Sequence, residues 1–325
     1  MRSVQTQQRF ELSSVKPFER LAQYRKICLD ETRRALSGPV TRREKSPVSG
    51  APLEPFGDVE GLEYLRCPET NSLFLAQLPA WAEWAKLLEA VGRVRQSPQA
   101  FHLDLEQSRV ENVYLPKLEW IQEALRLQGM ASPILLEAAS PPSTFGRFLQ
   151  QNGMFADVVT VDEMKLAHLR ETPAALKGRK AQAALLLESL DRIDDPQGLI
   201  GGVRANLGGG GLLFVTSLVA SGFDMAVLGL RNRYFYPPDR ANCFTLRALT
   251  ALLEHAGFEL IEVSTPGVLD VEIVESHLKA DPAIPVTGFE KELIASDREI
   301  RSAFQAFLQE KGLSSFARLV ARKKG

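Results

Sequence analysis

The chain has 325 residues, 39 Lys and Arg against 40 Asp and Glu, and a hydrophobic fraction of 45%. That length holds one large domain or two ordinary ones, and a net charge of −1 gives no global reason to expect nucleic acid or an anionic membrane as partner. No apolar run approaches the ~20 residues of a membrane span, the first residues carry no apolar signal core, and Cys28, Cys67 and Cys243 are too scattered for a disulfide framework, so a reducing cytoplasm is the expected setting.

Residues 1–45 are locally basic, with eleven Lys/Arg against five Asp/Glu. Phe18, Leu21, Tyr24, Cys28 and Ala35 recur at helical spacing and predict a helix from about Pro17 to Leu36. It reads as an amphipathic helix docked on the body; a basic arm for an acidic partner is the alternative. Residues 46–78 mix Pro, Gly and short apolar pieces and predict a small β-ribbon. Pro79–Gln96 reads as a helix with proline near its first turn. Asn112–Gln128 reads as another, with Leu115, Leu118, Ile121 and Leu125 on one stripe.

From Ser132 the rhythm alternates between strands and helices. PILLEAA is a buried strand, and FGRFLQQNG is a helix stopped by Gly153. DVVTVD is a second strand. AQAALLLES is a third apolar run that reads as strand or helix. DPQGLIGGVRANL is a helix entered at Asp194 or Asp195, with Pro196 in its first turn. GGGGLLFVTS is a strand launched from a glycine turn; with no Lys-Ser/Thr after them, Gly208–Gly211 do not form a phosphate-binding P-loop. FTLRALTALLEHAG is a helix and FELIEVST a strand. Helices are expected at about Val268–Lys279 and Glu290–Lys311, the latter with Ile300, Ala303, Phe304, Phe307 and Leu308 on one face. SFARLVARKK closes as a strand. This βαβα order defines an α/β fold, a doubly wound Rossmann-like sheet with helices on both faces. The expected division is an N-terminal part, 1–110, and an α/β domain, 111–325. His102, His168, His255 and His277 are dispersed and read as packing or surface residues.

Ligands of such sheets sit at the carboxyl ends of the strands. The run Gly222–Val274, GFDMAVLGLRNRYFYPPDRANCFTLRALTALLEHAGFELIEVSTPGVLDVEIV, resembles the substrate-side half of a class I S-adenosylmethionine (SAM) methyltransferase. LLEAASPPSTFG stands where such enzymes carry an acid and a glycine-rich turn, and DVVTVD puts Asp162 at the ribose position. LLLESLDRIDDP, ANLGGGGLLFVTS and FQAFLQEKGLSSFARLVARK match further pieces. The resemblance covers about residues 42–325. It is to a bacterial branch that modifies sugars of surface polysaccharides and antibiotics and starts with a zinc ribbon. It implies cofactor contacts at Glu137, Ser140, Thr144, Asp162 and Glu188, and sugar or phosphate contacts at Tyr236, Asp239, Arg240 and Asn242. Arg240 would serve there as a two-point anion clamp.

The departures from that family share a direction. Its loop glycines fall at Ala139, Pro141 and Ser143. Glycine lets a backbone approach a ligand closely, whereas proline fixes φ and removes a donor. Its histidines fall at Arg192, Arg240 and Phe316, and neither arginine nor phenylalanine can act as a base. Its zinc ligands fall at Ser46, Ser49, Cys67 and Thr70, and one thiol is not a tetrahedral zinc site. The stretch between Asp162 and Ala183, which should help to hold adenine, is short. No catalytic residue, metal or bound cofactor is therefore expected, with SAM the cofactor if the chain is active. The expectation is a methyltransferase-like protein that has lost catalysis and serves as a binding or partner subunit in glycan or nucleotide-sugar metabolism. The alternative is an active, divergent sugar methyltransferase. A protein partner, such as an active methyltransferase or glycan enzyme, and a sugar or nucleotide-sugar ligand are the expected company.

Overall fold

The computed structural model describes Leu12 and residues 18–96, 110–140 and 143–325. Helix α1 (Phe18–Ala35) is followed by β1 (Val40–Arg42), β2 (Glu54–Val59), β3 (Leu62–Arg66), β4 (Leu73–Leu75), β5 (Gln77–Pro79) and helix α2 (Trp81–Gln96). The ribbon predicted over 46–78 is present as antiparallel pairs, β2 with β3 and β3 with β4. Leu62, Tyr64, Leu65, Leu73 and Phe74 are buried beneath it. Phe56 points outward, with the Arg66 guanidinium 5.6 Å from its ring centre. A single π turn, Val110–Tyr114, leads into α3 (Leu115–Leu127).

The α/β part supplies β6 (Ile134–Ala138), α4 (Thr144–Asn152), β7 (Asp157–Val161), α5 (Glu163–Leu169), β8 (Ala181–Leu187), the short α6 (Ser189–Arg192), α7 (Pro196–Asn206) and β9 (Leu207–Leu218). After it come α8 (Phe223–Leu228), β10 (Asn242–Cys243), α9 (Leu246–His255), β11 (Phe258–Ser264), α10 (Asp270–Ala280), α11 (Gly288–Ala295), α12 (Arg298–Glu310) and β12 (Phe316–Lys323). The six-stranded sheet runs β11-β12-β9-β8-β6-β7. Strands β6 to β9 pair in parallel, and β12 inserts antiparallel between β9 and β11. The ambiguous run AQAALLLES is the strand β8, buried at nearly every position.

Local signals place most boundaries. Gly153 ends α4 in the left-handed region, at φ 73°. Asp195 caps α7 through Gly198 N–H, with Pro196 behind it. Two expectations need correction. The glycines Gly208–Gly211 lie inside β9, whose pairing with β8 shifts register there, and do not form a separate turn. The helix expected over Glu290–Lys311 is two helices, because Asp297 accepts from Ile300 N–H and starts α12 afresh. The predicted apolar face lies wholly on α12 and is only partly covered: Leu308 is buried, while Ile300 and Phe307 are exposed.

The N-terminal segment is not packed separately. Tyr24, Cys28, Tyr64, Phe74 and Trp84 share one hydrophobic cluster with residues of β6, β8, β9 and β12. β10 also pairs with β4, so a strand from the second half completes the ribbon sheet. Among the described residues no strand forms between β7 and β8; α5 and one 3₁₀ turn, Ala174–Leu176, fill that connection. β7 is therefore an edge of the sheet.

Candidate functional site

The carboxyl ends of β6 and β8 open into a cavity of about 190 Å³. Glu137, Ala138, Ala139 and Ser140 line it from the end of β6, and Ser143, Thr144 and Phe145 from the start of α4. Leu187 and Arg192 line it from β8 and α6, Tyr114 and Lys117 from the approach to and start of α3, and Leu88, Val91 and Arg95 from α2. Asp239 closes the rim.

Glu137 is almost fully buried and ties the loop down. It accepts from Ser143 Oγ at 2.7 Å and Thr160 Oγ1 at 2.9 Å. Burial pushes its carboxyl above the usual range despite those bonds. Ser143 Oγ also accepts from Gly146 N–H and so caps α4. A side chain at Gly146 would place its Cβ 2.2 Å from Glu137 Oε2, so glycine is required for this approach.

A second carboxylate, outside the cavity lining, holds one of its cations. Glu163, at the start of α5, is fully buried and receives Arg192 in a two-point pair, Nε–Oε1 2.7 Å and Nη2–Oε2 3.1 Å. Ser140 Oγ donates to the same Oε1 at 2.9 Å. Trp84 Nε1, from α2, donates to Arg192 O at 2.9 Å and fixes the backbone from which that guanidinium projects. Asp162, expected at the ribose, uses Oδ1 to cap α5, accepting from Met164 N–H and Lys165 N–H.

Behind the rim, Arg240 joins two acids. Nη2 lies 2.7 Å from Glu188 Oε2, and Nη1 lies 2.9 Å from Asp191 Oδ2. Glu188 stands at the end of β8 in the left-handed region, at φ 58°. Burial opposes its ionisation, but Arg240, with Lys117 and Arg192 further off, holds its carboxyl well below the usual range. Asp191 is fully buried; that burial, joined by the charge of Glu188, pushes it up to about 7. Arg240, Ser217 Oγ and Leu218 N–H pull the other way.

Of the residues assigned to the cofactor, Glu137, Ser140 and Thr144 meet at the cavity, while Asp162 and Glu188 are held as described. Of the four assigned to a sugar or phosphate, Asp239 lines the cavity. Its Oδ1 receives Arg95 Nη2 at 2.5 Å and Tyr24 Oη at 3.3 Å, which ties the rim to α2 and α1. Tyr236 is buried, edge-on to Tyr24. Asn242 is fully buried, donates to Leu190 O and Ile193 O, and accepts from Arg43 Nη1. Tyr236 and Asn242 are thus interior residues, and Asp239 is the one of the four that lines the cavity. The loop prolines Pro141 and Pro142 lie outside the described residues. Arg95, Lys117 and Glu163 were not singled out in the sequence. The adjacent acids Asp162–Glu163 at a strand end, with an arginine in place of a histidine at 192, are the one local hint of the Glu163 pair.

The four positions read as a degenerate zinc site do converge. Ser49 Oγ lies 3.5 Å from Cys67 Sγ. Burial would raise the Cys67 thiol, but hydrogen bonds with Thr70, Ser49 and Ser46 outweigh it and the net shift is downward. One thiol and three hydroxyls are not the donor set that zinc requires. Among the described residues, no cluster of three or more His, Cys, Asp or Glu side chains is arranged to hold a metal. No described helix is long and apolar enough to cross a membrane.

A Rossmann-like sheet with an acid at the end of its first parallel strand and a cavity beside it is the framework of a methyltransferase. The family profile described as a methyltransferase domain matches residues 84–263, more than half of the chain. The protein belongs to the class I SAM-dependent methyltransferase family. No curated protein matches the chain. Among solved structures it is similar to the Burkholderia thailandensis 1,6-didemethyltoxoflavin-N1-methyltransferase, which has S-adenosylhomocysteine bound. That match has 14% identity and a TM-score of 0.43, over 84% of this chain and 100% of that one. It is also similar to a SAM-dependent methyltransferase of Mesorhizobium loti, with 15% identity, a TM-score of 0.34, and 62% and 96% of the two chains covered. Phosphoethanolamine N-methyltransferase 2 of Haemonchus contortus matches with 14% identity, a TM-score of 0.35, and 63% and 53% covered. At these TM-scores the family assignment rests on the profile match.

The residues at the cavity do not fit the family's cofactor. A sulfonium cation there would meet Arg95, Lys117 and Arg192. Oδ1 of Asp162 is engaged with the start of α5, and among the described residues no strand beyond β7 is formed to flank an adenine.

Proposed function

We propose that this methyltransferase-family protein has lost SAM-dependent methyl transfer and acts as a binding or partner subunit in glycan or nucleotide-sugar metabolism. The observation that carries this reading is the Arg192–Glu163 pair at the mouth of the sheet, joined by Ser140. A buried, two-point ion pair is costly to break from one side. It fixes the Arg192 guanidinium in the lining of the cavity. Arg192, Arg240 and Phe316 at the histidine positions leave no proton acceptor there. The N-terminal part, 1–110, with its helices and ribbon-like segment, then supports the rim through Tyr24 and Arg95 and keeps no metal. Sugar chemistry enters only from the sequence resemblance to the polysaccharide branch. The partner would be another enzyme of that metabolism, and the setting the cytoplasm.

Calorimetry with SAM and S-adenosylhomocysteine tests the reading. The expected result is no heat of binding at micromolar ligand. Micromolar binding of either ligand, with methyl transfer to a sugar nucleotide, would establish the second reading, an active divergent enzyme. The family membership itself favours that reading.

A further inference from the structure

We infer that the cavity at the ends of β6 and β8 binds a phosphate-bearing small molecule, held by Arg95, Lys117 and Arg192. This deepens the proposed function and rests on its claim that SAM is not the occupant. Three cations line the cavity against two carboxylates, Glu137 and Asp239. Glu137 is turned into its bonds with Ser143 and Thr160. Asp239 is engaged with Arg95 and Tyr24.

The guanidinium groups are positioned but not saturated. Arg192 uses Nε and Nη2 on Glu163 and Ser189. Arg95 uses Nε and Nη2 on Tyr24 and Asp239. Among the described residues, no hydrogen bond is made by Nη1 of either arginine. Each arginine is therefore oriented by a carboxylate on one edge, and both residues line the cavity. Guanidinium donors held in a fixed plane match the oxygens of a phosphate. Lys117 adds a point charge from α3, 6.0 Å from the centre of the Phe145 ring that lines the same space.

A phosphate group meets this arrangement better than a carboxylate. It carries up to two negative charges and enough oxygens to engage both arginines and a hydroxyl together. A carboxylate has two oxygens, which one guanidinium satisfies. The hydroxyls of Ser140, Ser143 and Thr144 complete a polar wall on one side, and Leu88, Val91 and Leu187 an apolar one on the other. The apolar side suits the organic part of a phosphate ester.

The test is calorimetry on the full chain with three probes: inorganic pyrophosphate, uridine diphosphate and SAM. Each is run on the unmodified protein and on Lys117→Glu, with Lys117→Gln as the milder variant if thermal melting shows the first to be unfolded. The expected result is binding of at least one phosphate probe at about 0.1 mM or tighter, weakened tenfold or more by the Lys117 variant, with no SAM binding. Tighter binding of uridine diphosphate supports a nucleotide as the ligand, and equal binding supports recognition of the phosphate group alone. If neither phosphate probe nor SAM binds, the inference is overturned while the proposed function stands. Phosphate binding that the Lys117 variant leaves unchanged overturns it also, because the ligand is then elsewhere. Micromolar SAM binding overturns both.

Discussion

Arg192 and Glu163 meet edge to edge across the end of the sheet, with contacts of 2.7 and 3.1 Å, although 28 residues separate them in the chain. Glu163 is fully buried and Arg192 is 13% exposed on its side chain. Removing one partner of such a pair leaves an uncompensated charge and costs about 3–5 kcal/mol. Arg192→Ala should therefore lose that much stability in urea titration. Arg192→Ala with Glu163→Leu should recover most of it, since an apolar replacement of both partners removes the stranded charge. A double variant no more stable than the single one would show that the pair does not hold this end of the sheet.

The cofactor loop gives a second expectation. SAM affinity should be no better than about 1 mM, a ~−4 kcal/mol interaction. Pro141→Gly with Ser143→Gly should improve it without restoring methyl transfer, because Arg192, Arg240 and Phe316 remain. Ser143→Gly also removes the side chain that caps α4 and holds Glu137. Replacing a serine N-cap with glycine costs only a few tenths of a kcal/mol, so the variant should fold. Radiolabelled SAM retention and a methyl-transfer assay on a sugar nucleotide measure the two halves separately.

Much of the fold could be read from local pattern, and the candidate site only in part. An apolar run marked β6 because buried parallel strands need side chains apolar on both faces, whereas the Ala- and Leu-rich run of β8 fitted a strand or a helix equally. Gly153 and Asp195–Pro196 marked helix ends because each satisfies a backbone requirement there. The division of the last long helix rests on two residues, Ser296 and Asp297, and the Asp297 cap lies inside a run whose flanking segments are both helical. Asp162 and Glu163 were harder. They are neighbours on a strand-to-helix turn, so their side chains leave in different directions, and only the fold decides which faces Arg192. The contact of Arg95 with Asp239 spans 144 residues and has no sequence signature.

Helix packing beside the site offers a third test. A Cβ at Gly202 would lie 2.3 Å from Leu166 O, where α7 crosses α5, whereas one at Gly201 meets nothing within 4 Å. Gly202→Ala should destabilise by about 1–3 kcal/mol through overpacking. Gly201→Ala should stabilise by roughly 0.5–1 kcal/mol through helix propensity. Opposite signs in thermal melts of the two variants are the expected reading.

The four converging ribbon positions support a fourth. Purified protein should carry no stoichiometric zinc by elemental analysis. Because Ser49 Oγ lies 3.5 Å from the Cys67 sulfur and Ser46 and Thr70 also act on its ionisation, Ser46→Cys, Ser49→Cys and Thr70→Cys together should create a four-thiolate site. The triple variant should then bind one zinc per chain and melt higher with the metal than without it. One zinc on the unmodified chain, lost on Cys67→Ala, would contradict the first expectation. No zinc on a folded triple variant would show that the positions do not form a tetrahedron.

The last prediction concerns pH and the buried acids around Arg240. Asp191 is raised from the usual aspartate value of 3.8 to about 7, chiefly by burial. An acid raised in the folded state binds its proton more tightly there than in the unfolded chain. Its contribution to stability is therefore fully present below pH 3.8 and lost as pH rises towards 7, after which it no longer changes with pH. Glu188 is shifted downward, so its stabilising share is present above the usual glutamate range and lost only at acid pH below it. The two shifts occupy different windows, and between about pH 5 and 7 Asp191 dominates this cluster. Asp191→Asn keeps an oxygen that can accept from Ser217 Oγ or Leu218 N–H and cannot titrate. Denaturant midpoints measured from pH 5 to 8 should fall with rising pH for the unmodified protein relative to Asp191→Asn, and the two curves should run parallel above pH 7. Curves parallel across the whole range would mean that Asp191 is ionised throughout, with Arg240 outweighing its burial.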